Sequence, residues 1–295
     1  MSAVDTAQAR TARIHPDTSM GAVRLTVADL ARSRAFYERA IGLRASERDD
    51  GTLALGVPGE PPVVDLTGDS SAPALDRRAT GLYHLAILMP SRRDLALALA
   101  RLAEARWPLD GASDHLVSEA LYLLDPDGNG IEIYRDRPRE EWRQVDGKLA
   151  MDTLPLDLDS VLGELSGLRE LQPAAPAGIR MGHVHLRVSD IPEAERFYSG
   201  VLGFDVMVRG YPGALFVSAG GYHHHLGLNT WHSRGAAPPA PGAIGLRDFE
   251  IVLPGREELE RVLERVHSAG IEARDGGDGW LVRDPSGNGA MLRAR

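Results

Sequence analysis

Apolar and polar positions alternate with a period of two in four stretches of the chain, and each stretch leads into a period near 3.6. Met20–Asp29 reads M-G-A-V-R-L-T-V-A-D, and Met181–Asp190 reads M-G-H-V-H-L-R-V-S-D. Both are strands ending in an aspartate that can cap a helix. The helices predicted after them, Leu30–Ile41 and Ile191–Leu202, each carry a Phe-Tyr pair and stop at Gly42 and Gly203. A second pair of strands is Gly81–Pro90, G-L-Y-H-L-A-I-L-M-P, and Gly245–Pro254, G-L-R-D-F-E-I-V-L-P. Amphipathic helices are predicted after these over Arg93–Ala105 and Glu257–Ala269. The clearest hairpin is Leu121–Tyr134, L-Y-L-L-D-P-D-G-N-G-I-E-I-Y, whose turn recurs at Asp284–Gly289 as D-P-S-G-N-G. Asp125 and Gly128 are read as turn residues. On the return arm, alternation puts Glu132 on the face opposite Ile131 and Ile133.

The chain is therefore four repeats of one strand–helix–strands unit. They run over about 20–69, 80–136, 180–231 and 243–293. Two units make an N-terminal half, 1–140, and two a C-terminal half, 180–295. Residues 141–179 read as a linker, with a short helix near Leu156–Leu168 and a Pro/Ala/Gly run before the second half. The fold class expected is α+β.

Composition narrows the chemistry. The 295 residues are 43% hydrophobic and 25% charged, enough for an ordinary core, and length suggests about two domains. A net charge of -9 argues against nucleic-acid or anionic-membrane partners. With no cysteine there is no thiolate ligand or nucleophile, so any metal must be held by histidine and carboxylate. No apolar run reaches the ~20 residues of a membrane span, and no signal peptide is evident, so a cytoplasmic protein is expected.

The G-H-V-H-L-x-V-S-D strand, the Phe-Tyr helices and D-P-D-G-N-G-I-E together resemble the vicinal oxygen chelate superfamily of glyoxalases, bleomycin-resistance proteins and extradiol dioxygenases. Three stretches resemble more closely the four-module catechol 2,3-dioxygenases of Gram-positive bacteria: G-L-Y-H-L-A-I-L-M-P, S-E-A-L-Y-L-L-D-P-D-G-N-G-I-E-I-Y and F-V-S-A-G-G-Y-H-H-H-L-G-L-N-T-W. The resemblance implies βαβββ modules joined in pairs into curved-sheet cups. Metal ligands are then expected on the first and last strands of a module. Those slots hold Ala22 in the first unit, His84 and Glu132 in the second, His183 in the third, and Asp248 and Met291 in the fourth. Pairing units in chain order leaves each cup incomplete. Pairing the second with the third gives His84, Glu132 and His183 in one cup, and leaves Ala22, Asp248 and Met291 in a metal-free one.

Two histidines and one carboxylate suit a non-haem Fe(II) oxygenase; Mn(II) tolerates the same ligands, and zinc fits on ligand chemistry alone. The resemblance further implies His224 as acid–base, on the third unit's last strand, with His223 and His225 on its other face. It implies Tyr122 as a hydrogen-bonding partner of substrate and His115 near the substrate mouth. His185 shares the face of His183. His232 and His267 look incidental. The function expected is extradiol cleavage of a small aromatic diol with O2, in a homo-oligomer. A glyoxalase-like isomerase and a non-catalytic drug-binding protein are the alternatives.

Overall fold

The computed structural model describes residues 13–145 and 148–295. The strand–helix–three-strand unit occurs four times. The first module is β1 (Ser19–Val27), α1 (Leu30–Phe36), β2 (Arg44–Glu47), β3 (Leu53–Gly56) and β4 (Val64–Gly68). The second is β5 (Gly81–Leu88), α2 (Arg92–Glu104), β6 (Gly111–Asp114), β7 (Ser118–Leu124) and β8 (Gly130–Asp136). The connecting stretch carries β9 (Gln144–Val145), β10 (Lys148–Leu149), β11 (Leu154–Pro155) and α3 (Leu158–Gly163). The third module is β12 (Arg180–Arg187), α4 (Ile191–Glu195), β13 (Asp205–Val208), β14 (Ala214–Ser218) and β15 (Leu226–Asn229). The fourth is β16 (Gly245–Leu253), α5 (Arg256–Ser268), β17 (Arg274–Asp275), β18 (Trp280–Arg283) and β19 (Gly289–Ala294).

Helix ends follow their capping residues. Asp29 accepts from the Arg32 amide and Asp190 from the Glu193 amide, satisfying first-turn donors. Gly42 stops its helix at φ 91°, a left-handed geometry that costs glycine little. Two predicted helices change type midway. The chain is α-helical to Phe36 and to Glu195, then widens into π-helix over Tyr37–Ile41 and Arg196–Val201. The widened turns carry the buried tyrosines. Tyr37 donates to the turn carboxylate Asp125 at 3.4 Å, and Tyr198 to Asp284 at 3.0 Å. The repeated Phe-Tyr and D-P-x-G-N-G motifs are thus two halves of one contact, made between the two modules of each half-chain.

The sheets pair modules differently. One nine-stranded sheet runs β11-β6-β7-β8-β5-β12-β15-β14-β13, joining the second and third modules through antiparallel β5 and β12. In it β8 lies parallel to β5, and β15 parallel to β12. An eight-stranded sheet, β17-β18-β19-β16-β1-β4-β3-β2, joins the first and fourth modules through β1 and β16 in the same way. Alternation sorts the faces. Leu85, Ile87, Ile131, Ile133, Val184 and Leu186 are fully buried in the core, and their neighbours line the concave side.

Two expectations need correction. His223–His225 do not lie on a strand; they form the bend before β15, after the left-handed turn at Gly220 and Gly221. The bend breaks the alternation on which their facing was predicted. The stretch after β8 is also more than a spacer. β11 pairs with β6, and Met151, Asp152 and Thr153 form part of the wall of the central cavity.

Candidate metal centre

The two central strands bring three groups together. His84 stands on β5, Glu132 on β8 beside it and His183 on β12 across the module junction. Parallel pairing sets Ala86 opposite Glu132, and antiparallel pairing sets Ala86 opposite His183. The small Ala86 leaves the side chains of both neighbours to converge. His84 Nε2 lies 3.0 Å, and His183 Nε2 3.1 Å, from the same Oε2 of Glu132. Ligand atoms of all three lie within 4.8 Å of one another, and all three residues are buried.

This arrangement fits a divalent cation. The His183 contact is a hydrogen bond, whereas His84 Nε2 is buried without one despite its 3.0 Å approach. A buried ring nitrogen in that position is costly without a further partner. Burial pushes the His183 imidazole down to about 4. Burial would push the Glu132 carboxyl up, but His183 and His84 together hold it well below the ordinary range. A neutral imidazole and an ionised carboxylate are the forms that bind metals.

The cavity above this cluster measures about 730 Å³ and is lined by His84, Glu132, Tyr122, His115 and His224, with His183 just beneath. Hydrogen bonds fix the side-chain tautomers. Asp136 accepts from Tyr222 Oη, at 3.1 and 3.0 Å, and from His223 Nε2 at 2.9 Å. In the neutral form of His223 its Nδ1 carries a lone pair and accepts from His224 Nδ1, 2.8 Å away. His224 is then left with an unprotonated Nε2, its ring packed at a tilt against His183, 4.1 Å between centroids. Burial pushes its pKa well below the ordinary value, with His183 and His223 adding to the effect. His225 turns elsewhere. Its Nδ1 accepts from the Ala219 amide at 3.2 Å and contacts Ser218 Oγ at 2.8 Å.

On the opposite wall, His115 Nδ1 donates to the Asp152 carbonyl at 2.8 Å. In the tautomer with its proton on Nδ1, His115 accepts at Nε2 from Tyr122 Oη, 2.7 Å away. Tyr122 stands opposite Glu132 in the β7–β8 ladder. Burial, with the Glu132 charge, keeps its phenol protonated. His185 packs edge-on to His84. His232, read as incidental, reaches the cavity wall, while His267 is exposed at the end of α5. The Tyr222–Asp136–His223 chain and Arg187 were missed from sequence. The H-H-H run hinted at the first, and the period of β12 carried the second.

The slots of the other sheet hold different chemistry. Arg24 projects into its concave face and bonds Asp248 at 2.7 Å and Glu250 at 2.6 Å, with Asp65 at 3.7 Å. A guanidinium occupies the middle of that cup. Among the described residues, the one His/carboxylate cluster able to hold a metal is His84–Glu132–His183.

Comparison with known proteins gives a consistent picture. The family model of the Glyoxalase/Bleomycin resistance protein/Dioxygenase superfamily matches residues 19–133 and 180–292. A protein of Bacillus subtilis (strain 168) named catechol-2,3-dioxygenase is 46% identical over 276 residues, covering 92% of this chain and 95% of its own. Among solved structures, glyoxalase I from Zea mays superposes with a TM-score of 0.56 at 16% identity, covering 94% of this chain and 92% of that one. The cppA protein from Streptococcus pneumoniae TIGR4 gives 0.56 at 11%, covering 96% and 99%. At such identities the superpositions show a shared fold alone. No helix among the described residues is long and apolar enough to cross a membrane.

Proposed function

The chain belongs to the glyoxalase/bleomycin resistance protein/dioxygenase superfamily, and from that premise we propose that it is an extradiol ring-cleaving dioxygenase, opening a catechol-type ring beside its diol with O2. The observation that carries the reading is the meeting of His84, Glu132 and His183 at the floor of a cavity whose walls hold His224 and Tyr122. The 46% identical relative named for this activity supports it.

His84, Glu132 and His183 would hold the metal, Fe(II) by our reading and Mn(II) as the alternative ion. When bound, such an ion offers open coordination positions to the diol and to O2 and passes electrons between them. The protein's own part is positioning and proton transfer. His224 Nε2, unprotonated and facing the cavity, takes a hydroxyl proton from the diol. The positive charge this creates is spread towards Asp136 through His223. The same nitrogen returns the proton as general acid later in the cycle. Tyr122, its hydrogen held by His115, offers lone pairs that can accept from the second hydroxyl. The buried setting keeps water from competing. We also propose a cytoplasmic, homo-oligomeric enzyme of aromatic-compound breakdown.

Anaerobic reconstitution with Fe(II), followed by catechol and air, tests the reading. Oxygen uptake with a yellow ring-opened product is expected, and both are lost in His183→Ala. Tight metal binding without product from any of several catechols would move the assignment to a glyoxalase-like isomerase. Failure to bind metal would move it to a small-molecule binding protein.

A further inference from the structure

Three residues of β12 alternate onto its concave face: His183, His185 and Arg187. Successive members are about 6.6 Å apart along the strand, so the row leads from the metal cluster up the cavity wall. Arg187 is 6% exposed. Its Nε donates to the Ala79 carbonyl at 3.0 Å. No carboxylate of the described residues lies within 4.0 Å of its guanidinium, and its Nη groups donate to none of them. The residue lines the cavity. Asp76 acts on it from beyond that distance, while Arg77, also at the cavity, adds positive charge.

Two other buried arginines are treated differently. Arg24 is clasped by Asp248 and Glu250, and Arg135 by Glu119 at 2.7 Å. Arg101, likewise without a carboxylate, lies against the carbonyls of Gln172 and Ala174 in the linker. A cation held largely out of water without a counter-ion is unfavourable, and the open donors of Arg187 belong to a substrate cavity. The planar guanidinium fork matches a carboxylate. Asp110 and Asp152 also line the cavity, but from the approach to β6 and from the strap before β11.

We infer that Arg187 receives an anionic group of the substrate, so that the preferred ring is a catechol bearing a carboxylate on a short arm. The inference rests on the dioxygenase reading for its diol end and on Arg187 for its acid end. Four residues of strand, about 13 Å, separate His183 from Arg187, a span suited to one aromatic ring with a short acidic arm.

The test uses the full chain with catechol, 2,3-dihydroxybenzoate, 3-(2,3-dihydroxyphenyl)propanoate and 3-(3,4-dihydroxyphenyl)propanoate, and the methyl ester of each acid. At least one acid is expected to exceed its ester in kcat/KM by about 10–100-fold, the range of a charge-assisted hydrogen bond. In Arg187→Gln the advantage disappears through KM, because the arm is held equally in ground and transition states. The esters and catechol stay within about threefold, and Arg187→Lys keeps part of the preference. Equal treatment of acids and esters by the native protein overturns the inference. So does an equal fall for acids and esters in Arg187→Gln, which marks a structural arginine. If no catechol is cleaved, the dioxygenase reading fails on its own, and calorimetric binding of the same acids and esters decides the subsite. Tighter binding of an acid, lost in Arg187→Gln, supports it; indifference overturns it.

Discussion

His224 and His225 are adjacent in sequence and have unlike surroundings. His225 bonds to its own loop through Nδ1, whereas His224 faces the cavity, backed by His223 and Asp136. Replacing His224 by Ala should lower kcat by about 10²–10⁴-fold, the usual worth of a general acid–base, with metal content unchanged. His223→Phe removes the acceptor that fixes the His224 tautomer. A smaller fall, about tenfold, is expected there, together with a shifted acid limb of the pH–rate profile. Metal content by atomic absorption separates both effects from ligand loss. Acid should also destabilise the metal-free fold. His183 is held at about 4 and His225 at about 3, below the ~6.5 of an unfolded histidine. Below about 6.5 the unfolded chain takes up protons that the native rings refuse. Stability is therefore whole above that pH and falls as pH drops towards 4, by up to roughly 1.4 kcal/mol per unit for each ring. Urea midpoints at pH 7 and pH 5 check this; equal midpoints would mean that the rings protonate in the fold. The sequence pointed to His84, Glu132 and His183 because each occupies a family slot on a regular strand. It placed His223–His225 on a strand, whereas they form a bend, because a bend has no period to read.

At the scale of elements, the D-P-x-G-N-G turns act as hubs. Asp125 accepts from the amides of Asp127 and Asn129 and from the Asn129 side chain, and also receives Tyr37. Asp284 repeats the pattern with Ser286, Asn288 and Tyr198. Both aspartates are buried, so truncation to Ala strands several donors, and a loss of roughly 2–4 kcal/mol is expected for each. Asp125→Ala also loosens the hairpin that carries Glu132 and should weaken metal binding. Asp284→Ala, in the other sheet, should leave metal affinity unchanged at equal thermal cost, a contrast that calorimetry and metal titration together resolve. Gly130 opens the return arm where an added Cβ would come within 2.1 Å of the Tyr83 carbonyl, so the turn must keep glycine there to bring β8 against β5. These hubs were legible as repeated letters, since turn chemistry is local. Their tyrosine partners were legible as a repeat without a reason, because contact between modules is not written in spacing. The π-helical turns left no mark in the pattern, which fits either geometry.

The whole molecule joins its sequence halves twice, once through each sheet, and among the described residues one junction holds the candidate ligands. The complementary gaps in the slots (Ala22, Asp248 and Met291 against His84, Glu132 and His183) were readable from sequence, and so was the junction they implied. That Arg24 fills the other cup was not, because its partners come from β4 and β16, remote along the chain. Arg24→Met should therefore cost about 3–5 kcal/mol by stranding buried carboxylates, with the metal site untouched. We propose 1–140 and 180–295 as the two units of duplication, which makes a sharper prediction. His84 and Glu132 lie in the first, His183 and His224 in the second, and neither unit owns three ligands. Expressed alone, each also exposes two central strand edges, β5 and β1 or β12 and β16, whose partners belong to the other unit. Each half alone should bind metal at least 100-fold more weakly than the whole, if losing one of three ligands costs about 3 kcal/mol or more. Co-expression should restore binding, provided that 141–179 stays attached to one unit to supply the cavity wall at Met151–Thr153. Equilibrium dialysis with Fe(II) or Mn(II) reads the result. A first half that binds metal alone as tightly as the whole chain would show that His183 is dispensable, and the centre would then have to be rebuilt from the second module.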